Sequence, residues 1–351
     1  MNTTKILSIL LAIAALPFAG LHAANPLGGL TVAVSSDGSR LVAGGDTRTV
    51  LVLDPGTLEI QHRQWIERPI VALAFSKDGG TLAVQDTSDD LLLLDTSDWS
   101  VKAEIPKRVG FAVSTEADLV AGHDGNSNGP KIFVHSLSDG AERFSTALGK
   151  GVRIAALALS NDGSRLAVLT EATKDADEPE VPSSQVPKDL RGAELEEFKQ
   201  KNDGKTSVLH LFDVAGGGPL GEAKTYYSTN PGATLFFDGD AVVAVNYLNV
   251  NARIAPSGET AIFQLQNSFN YGIGRSHDGS LILTGGLARQ SVTKAADLVG
   301  SVGTVEKLPG WPEYWKGFSA ASGDAIYGAT SAYRVFKLDG SGAVQASVPV
   351  R

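Results

Sequence analysis

The sequence predicts an all-β fold, a seven-bladed β-propeller of four-stranded antiparallel blades, on three observations. A unit of apolar strand, Asp-Gly turn and second apolar strand returns about every forty residues, a period of repeat architectures. Glycine supplies 39 of the 351 residues, aromatics 7% and charged residues 20%, the balance of a folded chain dense in tight turns. The strands are short and alternating, and turn residues bound each of them, which fits blades better than a sandwich.

The first segment stands apart from the repeats. Met1 to Lys5 is followed by an apolar run from Ile6 to Phe18 and by small residues up to Ala23 and Ala24. A positive start, a short apolar stretch and a small-residue cut site predict a secretory signal peptide over residues 1–23, leaving a single domain over 24–351. The run is shorter than the ~18 apolar residues of a membrane span. A periplasmic or secreted protein without membrane insertion is therefore expected. The absence of cysteine excludes disulfides, thiolate metal sites, cysteine nucleophiles and a lipid anchor on an N-terminal cysteine. A formal net charge of −9 steers the chain poorly toward nucleic acid or anionic lipid, and neither partner is expected.

The repeats follow in order. The unit Leu30 to Leu41, with Ser35, Asp37 and Gly38 in its turn and Val50 to Asp54 behind it, is answered by Val71 to Leu82, with Ser76, Asp78 and Gly79, and then Leu91 to Asp95. It returns around Ser160, Asp162 and Gly163 and around Ser276, Asp278 and Gly279. Weaker copies begin near Phe111, Leu235 and Phe318, which completes seven. Gly accepts positive φ without steric cost and Asp bonds nearby backbone donors, so the pair suits a tight reversal. The inner strands, such as Ala156 to Leu159, are small and apolar because they crowd toward the central axis.

This Ser-x-Asp-Gly-x-x-Leu pattern resembles the bacterial YVTN and WD-repeat-like propellers, whose usual turn is Ser-Pro-Asp-Gly. The resemblance covers nearly the whole chain after the leader. Ser36, Lys77, Asn161 and His277 stand where that pattern has Pro, and no Trp-Asp or Gly-His pair marks the blades. It implies a fold and no particular activity, since propellers host binding, scaffold and enzyme roles. All units run in the same phase, so closure is expected by packing of blade seven, ending Ala343 to Val348, against blade one.

Loop lengths differ between blades. From the second-strand residue to the end of the third strand the count is 13 in blades one (Leu41 to Asp54), two (Leu82 to Asp95) and seven (Ile326 to Asp339). It is 17 in blade three (Leu119 to Ser136), 16 in blade six (Leu281 to Asp297), about 24 in blade five (Val242 to Gln266) and 47 in blade four (Leu166 to Asp213). All growth is thus expected between strands two and three, on the face that also carries the inter-blade connections, with the Asp-Gly turns opposite. Variable loops carry function, which makes that face the candidate binding surface. The blade-four insertion, residues 171–205, is acidic and Pro-rich from Asp175 to Pro182 and helix-forming from Asp189 to Lys201, with Leu190, Leu195 and Phe198 partly on one side. It reads either as a lid or docking arm or as a solvated excursion.

Several residues on that face are candidates for ligand or partner binding. Arg68, Lys107, Arg108, Lys150, Arg153 and Lys316 are expected in the connections before the inner strands, where a ring of cations would focus field on an anionic ligand or acidic segment. Trp65, Tyr226, Tyr227, Tyr271, Trp311 and Trp315 are aromatic candidates, fitting either a recognition surface or packing between blades. Asp124, Asn126 and Asn128 match the opening of a calcium loop, with His135 where the bidentate Glu belongs and Asp86, Asp89 and Asp90 on the neighbouring loop. An ordinary Asn/Gly hairpin turn explains the same residues, and no other cofactor is expected. His135 and His210 fall in third strands and His277 in a blade turn, none at metal-ligand spacing, and no Gly-x-Ser-x-Gly elbow or phosphate loop occurs.

The leading expectation is a non-catalytic exported binding or scaffold protein for a periplasmic protein, a peptide or a small anionic ligand. The resemblance also admits a hydrolase or lyase of the lactonase kind. An accessory subunit of an exported redox complex is a third reading.

Overall fold

The computed structural model describes residues 28–126, 128–174, 185–229, 233–265, 269–286, 289–295, 304–307, 313–321 and 325–350, so the expected leader over 1–23 lies outside the described residues. Seven four-stranded antiparallel sheets form the ring. Blade one holds β1 (Leu30–Val34), β2 (Leu41–Gly45), β3 (Thr49–Leu53) and β4 (Ile60–Trp65). Blade two holds β5 (Ile70–Phe75), β6 (Thr81–Asp86), β7 (Leu91–Asp95) and β8 (Val101–Ile105), and blade three β9 (Val109–Ser114), β10 (Leu119–His123), β11 (Lys131–Ser136) and β12 (Glu142–Ala147). Blade four is β13 (Ile154–Leu159), β14 (Arg165–Thr170), β16 (Lys205–Asp213) and β17 (Gly218–Thr225), with the short β15 (Thr173–Lys174) paired to the start of β16 and the helix α1 (Gly192–Lys201) in the insertion. Blade five is β18 (Ala233–Asp238), β19 (Ala241–Asn246), β20 (Asn251–Ile254) and β21 (Thr260–Phe263), and blade six is β22 (Gly272–Arg275), β23 (Leu281–Gly285), β24 (Arg289–Lys294) and β25 (Thr304–Lys307). Blade seven closes the chain with β26 (Trp315–Ala320), β27 (Ile326–Thr330), β28 (Arg334–Leu338) and β29 (Val344–Pro349).

The recurrent turn is a hydrogen-bonded device. Ser35, Ser76, Ser160 and Ser276 each donate from Oγ to Oδ1 of the Asp two residues on, at 2.6, 2.7, 2.5 and 2.5 Å. Each hydroxyl in turn accepts the N–H five residues on, from Arg40, Thr81, Arg165 or Leu281, at 2.9–3.0 Å. The Asp also accepts the N–H of the residue after the Gly, and that Gly sits at a φ of 68–73°, which L side chains rarely adopt. Where related patterns have Pro, the Lys77 N–H donates to Asp118 Oδ1 of blade three and the His277 N–H to the Ala320 carbonyl of blade seven. Proline has no N–H, so these departures tie neighbouring blades together.

Successive residues of the middle strands feed opposite blade interfaces, which is why the strands read as nearly continuous apolar runs. Leu41, Ala43, Leu51 and Leu53 pack toward blade seven, and Val42, Val50 and Val52 toward blade two. The ring closes as expected, by blade seven on blade one. The Val34 N–H donates to Ser319 Oγ at 3.1 Å, Tyr327 donates to the Pro55 carbonyl at 2.9 Å, and Tyr333 donates to Asp46 Oδ2 at 2.7 Å.

Two of the expected loop lengths are corrected. In blade five Val242 pairs with Ile254, so the third strand is β20 and the loop before it is short, and the extra residues follow β21 in the connection to blade six. In blade six Leu281 pairs with Lys294, so the extra residues come between β24 and β25 rather than before β24, which ends beside the Asp278-Gly279 turn, where the Ala295 N–H donates to the Ser280 carbonyl, and Asp297 is outside the described residues. The expected growth between strands two and three holds in blades three and four.

Candidate functional site

The face bearing the inter-blade connections and the strand two to strand three loops, the connection face, holds most of the predicted site residues. Its three arginines are already engaged. Arg68 Nη1 donates to Asp90 Oδ2 at 2.7 Å and meets Asp86 Oδ2 at 3.4 Å, so the acidic loop of blade two neutralises it. The same loop positions the next connection, because the Lys107 N–H donates to Asp90 Oδ1 and the Arg108 N–H to the Asp89 carbonyl. Arg108 lies 3.8 Å above the Phe133 ring and donates from Nε to His135 Nε2 at 2.9 Å. Burial pushes the pKa of His135 down, which leaves the ring neutral, with Nδ1–H donating to the Gly140 carbonyl at 3.1 Å. Arg153 meets Glu171 at 3.7 Å, both exposed, and Lys150 is exposed beside it.

Lys316 is not in a connection but is the second residue of the inner strand β26. Burial lowers its pKa to about 8, against the pull of Asp46. The expected ring is therefore three arginines with separate local partners, two exposed lysines, Lys107 and Lys150, and a half-buried Lys316 on an inner strand.

The aromatic candidates divide. Trp315 is fully buried, 4.7 Å from Phe318 and 5.1 Å from Phe336 between ring centroids, so the recognition reading fails for it and the packing reading holds. Its indole fits because Gly285 and Gly328 leave room, a Cβ at either falling 2.4 Å from a Trp315 ring atom. Tyr227 is buried and donates to the Val250 carbonyl, whereas Trp65 is 63% exposed. Trp311 lies outside the described residues.

Tyr271 belongs to a cluster that spans three blades. Tyr247, after β19, meets Tyr271 edge-on at 4.8 Å and donates to its hydroxyl at 3.0 Å, while Tyr314 meets Tyr271 at 4.8 Å and Phe269 meets Tyr247 at 5.5 Å. Buried amides hold the segments in place. Asn270 N–H donates to the Tyr247 carbonyl, its side-chain amide to the Asn246 carbonyl, and Asn249 Nδ2 to the Leu265 carbonyl. Burial and the Tyr247 hydroxyl push the Tyr271 phenol upward, so it stays protonated and able to donate. Phe269 and Leu248 remain 42% and 44% exposed at the edge of the cluster. Sequence reasoning missed Tyr247 and Phe269. An aromatic flanked by turn-forming Asn residues, Asn246 and Asn249, was the available signal.

The blade-three loop uses its oxygens as turn acceptors. Asp124 Oδ1 accepts the N–H groups of Asn126 and Lys131 at 3.0 and 3.1 Å, and Asn126 Oδ1 accepts that of Asn128 at 2.9 Å. His135 is held on β11 by Arg108, and among the described residues no three His, Cys, Asp or Glu side chains converge as a metal site. The described part of the insertion docks at the ring's edge: α1 packs on the outer strand β21, Tyr226 donates to Glu197 at 3.2 Å, and Gln200 accepts the Ser228 N–H at 3.1 Å. No protein-family model and no curated protein matches the chain.

Proposed function

We propose that this chain is an exported, non-catalytic binding propeller whose connection face receives a partner protein over blades five to seven. The observation that carries the reading is the Tyr247, Phe269, Tyr271 and Tyr314 cluster, assembled from separate segments, with Phe269 and Leu248 left exposed at its edge. Aromatic anchors bury large area at small entropic cost and concentrate binding energy. The amide lattice beneath them supplies the rigidity that keeps that cost low. A small anionic ligand has less support, because Arg68, Arg108 and Arg153 already have intramolecular partners. Export rests on the composition of residues 1–23.

A photo-crosslinking residue at Phe269, compared with one at Asp240 beside a blade turn on the opposite face, tests this in the native host. Discrete adducts at 269 that vanish in the Leu248→Ser background, with none at 240, are the expected result. Equal labelling at both positions, or none at either, overturns it. Recovery of the chain from the periplasm with Ala24 as its first residue tests export.

A further inference from the structure

A second surface lies between the outer strands of blades one and two, where a cleft of about 180 Å³ opens. Its lining includes Trp65 and Val101, two of the five large apolar side chains that stay exposed among the described residues, at 63% and 55%. Leu92 and Ile66 add apolar wall, Leu92 lying directly across from Glu104 on β7 and β8. The rim is acidic. Arg68 is held by Asp86 and Asp90, whereas Glu67 and Glu104 line the cleft exposed and in no ion pair among the described residues.

Size and charge together specify an occupant. An apolar cavity of about 150 Å³ admits a benzene ring, so this cleft takes one large apolar side chain rather than a folded element. Two unpaired carboxylates at its mouth favour cations on either side of that side chain. We propose that the cleft between blades one and two docks an extended segment of a partner protein that presents a single Leu- or Phe-sized side chain flanked by Lys or Arg. The aromatic cluster of blades five to seven plays no part in this docking, so either reading can fail alone.

The probe is the peptide Gly-Arg-(4-fluoro-Phe)-Arg-Gly, followed by its fluorine NMR line in the presence of the full chain. Saturable broadening is expected, weakened at least tenfold when Glu replaces both Arg residues of the peptide. Val101→Arg fills the cleft mouth from an exposed position and abolishes the broadening without changing the thermal midpoint. Glu104→Lys reverses the preference toward the Glu-flanked peptide. Absence of broadening at millimolar peptide, equal broadening by both peptides, or binding that survives Val101→Arg overturns the proposal.

Discussion

Replacing Ser35 with Ala isolates the chemistry of the repeated turn. The Ser35 hydroxyl donates to Asp37 Oδ1 at 2.6 Å and accepts the Arg40 N–H at 3.0 Å, and Ser35 itself is 1% exposed. Its hydroxyl is the largest influence lowering the Asp37 pKa from 3.8 to about 2, followed by the Ser39 N–H. At face value the whole displacement, shared by the Ser35 hydroxyl with the Ser39 N–H and hydroxyl, corresponds to about 2.4 kcal/mol, but the carboxylate lies mostly in water, and screening leaves the part held by Ser35 at no more than about 1 kcal/mol. Leaving the Arg40 N–H without its acceptor costs about 1 kcal/mol more. Ser35→Ala should therefore destabilise the ring by about 2 kcal/mol at neutral pH.

The pH dependence separates the two contributions. A carboxylate whose folded pKa lies below its unfolded value stabilises the fold above the unfolded pKa, and that stability is lost as pH falls through the folded pKa. The carboxylate share is thus present above about pH 4 and fades toward about pH 2, while the Arg40 N–H share persists. Urea unfolding followed by circular dichroism, repeated from neutral pH down to about pH 2.5, should show the gap between wild type and variant narrowing by about half. A gap under about 0.5 kcal/mol at neutral pH, or one that stays constant on acidification, refutes the argument.

Lys316→Met should stabilise the fold, since a lysine whose pKa is lowered from 10.5 to about 8 is held at a cost while protonated. The half-buried amine makes this about 1 kcal/mol near neutral pH after screening, shrinking as pH rises through 8 toward 10.5, as thermal midpoints in a pH series would show. Gly285→Ala would place a Cβ 2.4 Å from Trp315 and should cost about 3 kcal/mol by urea unfolding, whereas Gly38→Ala meets no atom within 4 Å and suffers only its positive φ, about 1 kcal/mol. Leu248→Ser should leave the thermal midpoint unchanged, the residue being 44% exposed, while removing the adducts formed by a crosslinking residue at position 269.

How much of this was readable in the sequence depends on how far each interaction reaches along the chain. The Ser-x-Asp-Gly turn is complete within six residues, from Ser35 to Arg40, so each strong copy announced a blade. The third strand of blade five was misplaced because its identity rests on the pairing of Val242 with Ile254, which hydropathy does not reveal. Asn251 to Ile254 is short and half polar, and the more apolar Ile262 to Leu265 attracted the assignment instead. In blade six the same ambiguity carried the extra residues to the wrong face.

The site shows the same dependence more sharply. Arg68 read as available charge because the carboxylates that neutralise it lie 18 and 22 residues downstream. Trp315 read as a surface candidate because the glycines that make room for it, Gly285 and Gly328, belong to other strands, one of them in another blade. Tyr271 was recognised but its partner Tyr247, 24 residues away, was not. Arg68 and Arg153 are answered by carboxylates on the same face, so a count of basic residues overstates the field there. An exposed apolar edge has no such partner to cancel it, and its persistence beside Tyr247 and Tyr271 is why the aromatic cluster, rather than the cations, carries the binding assignment.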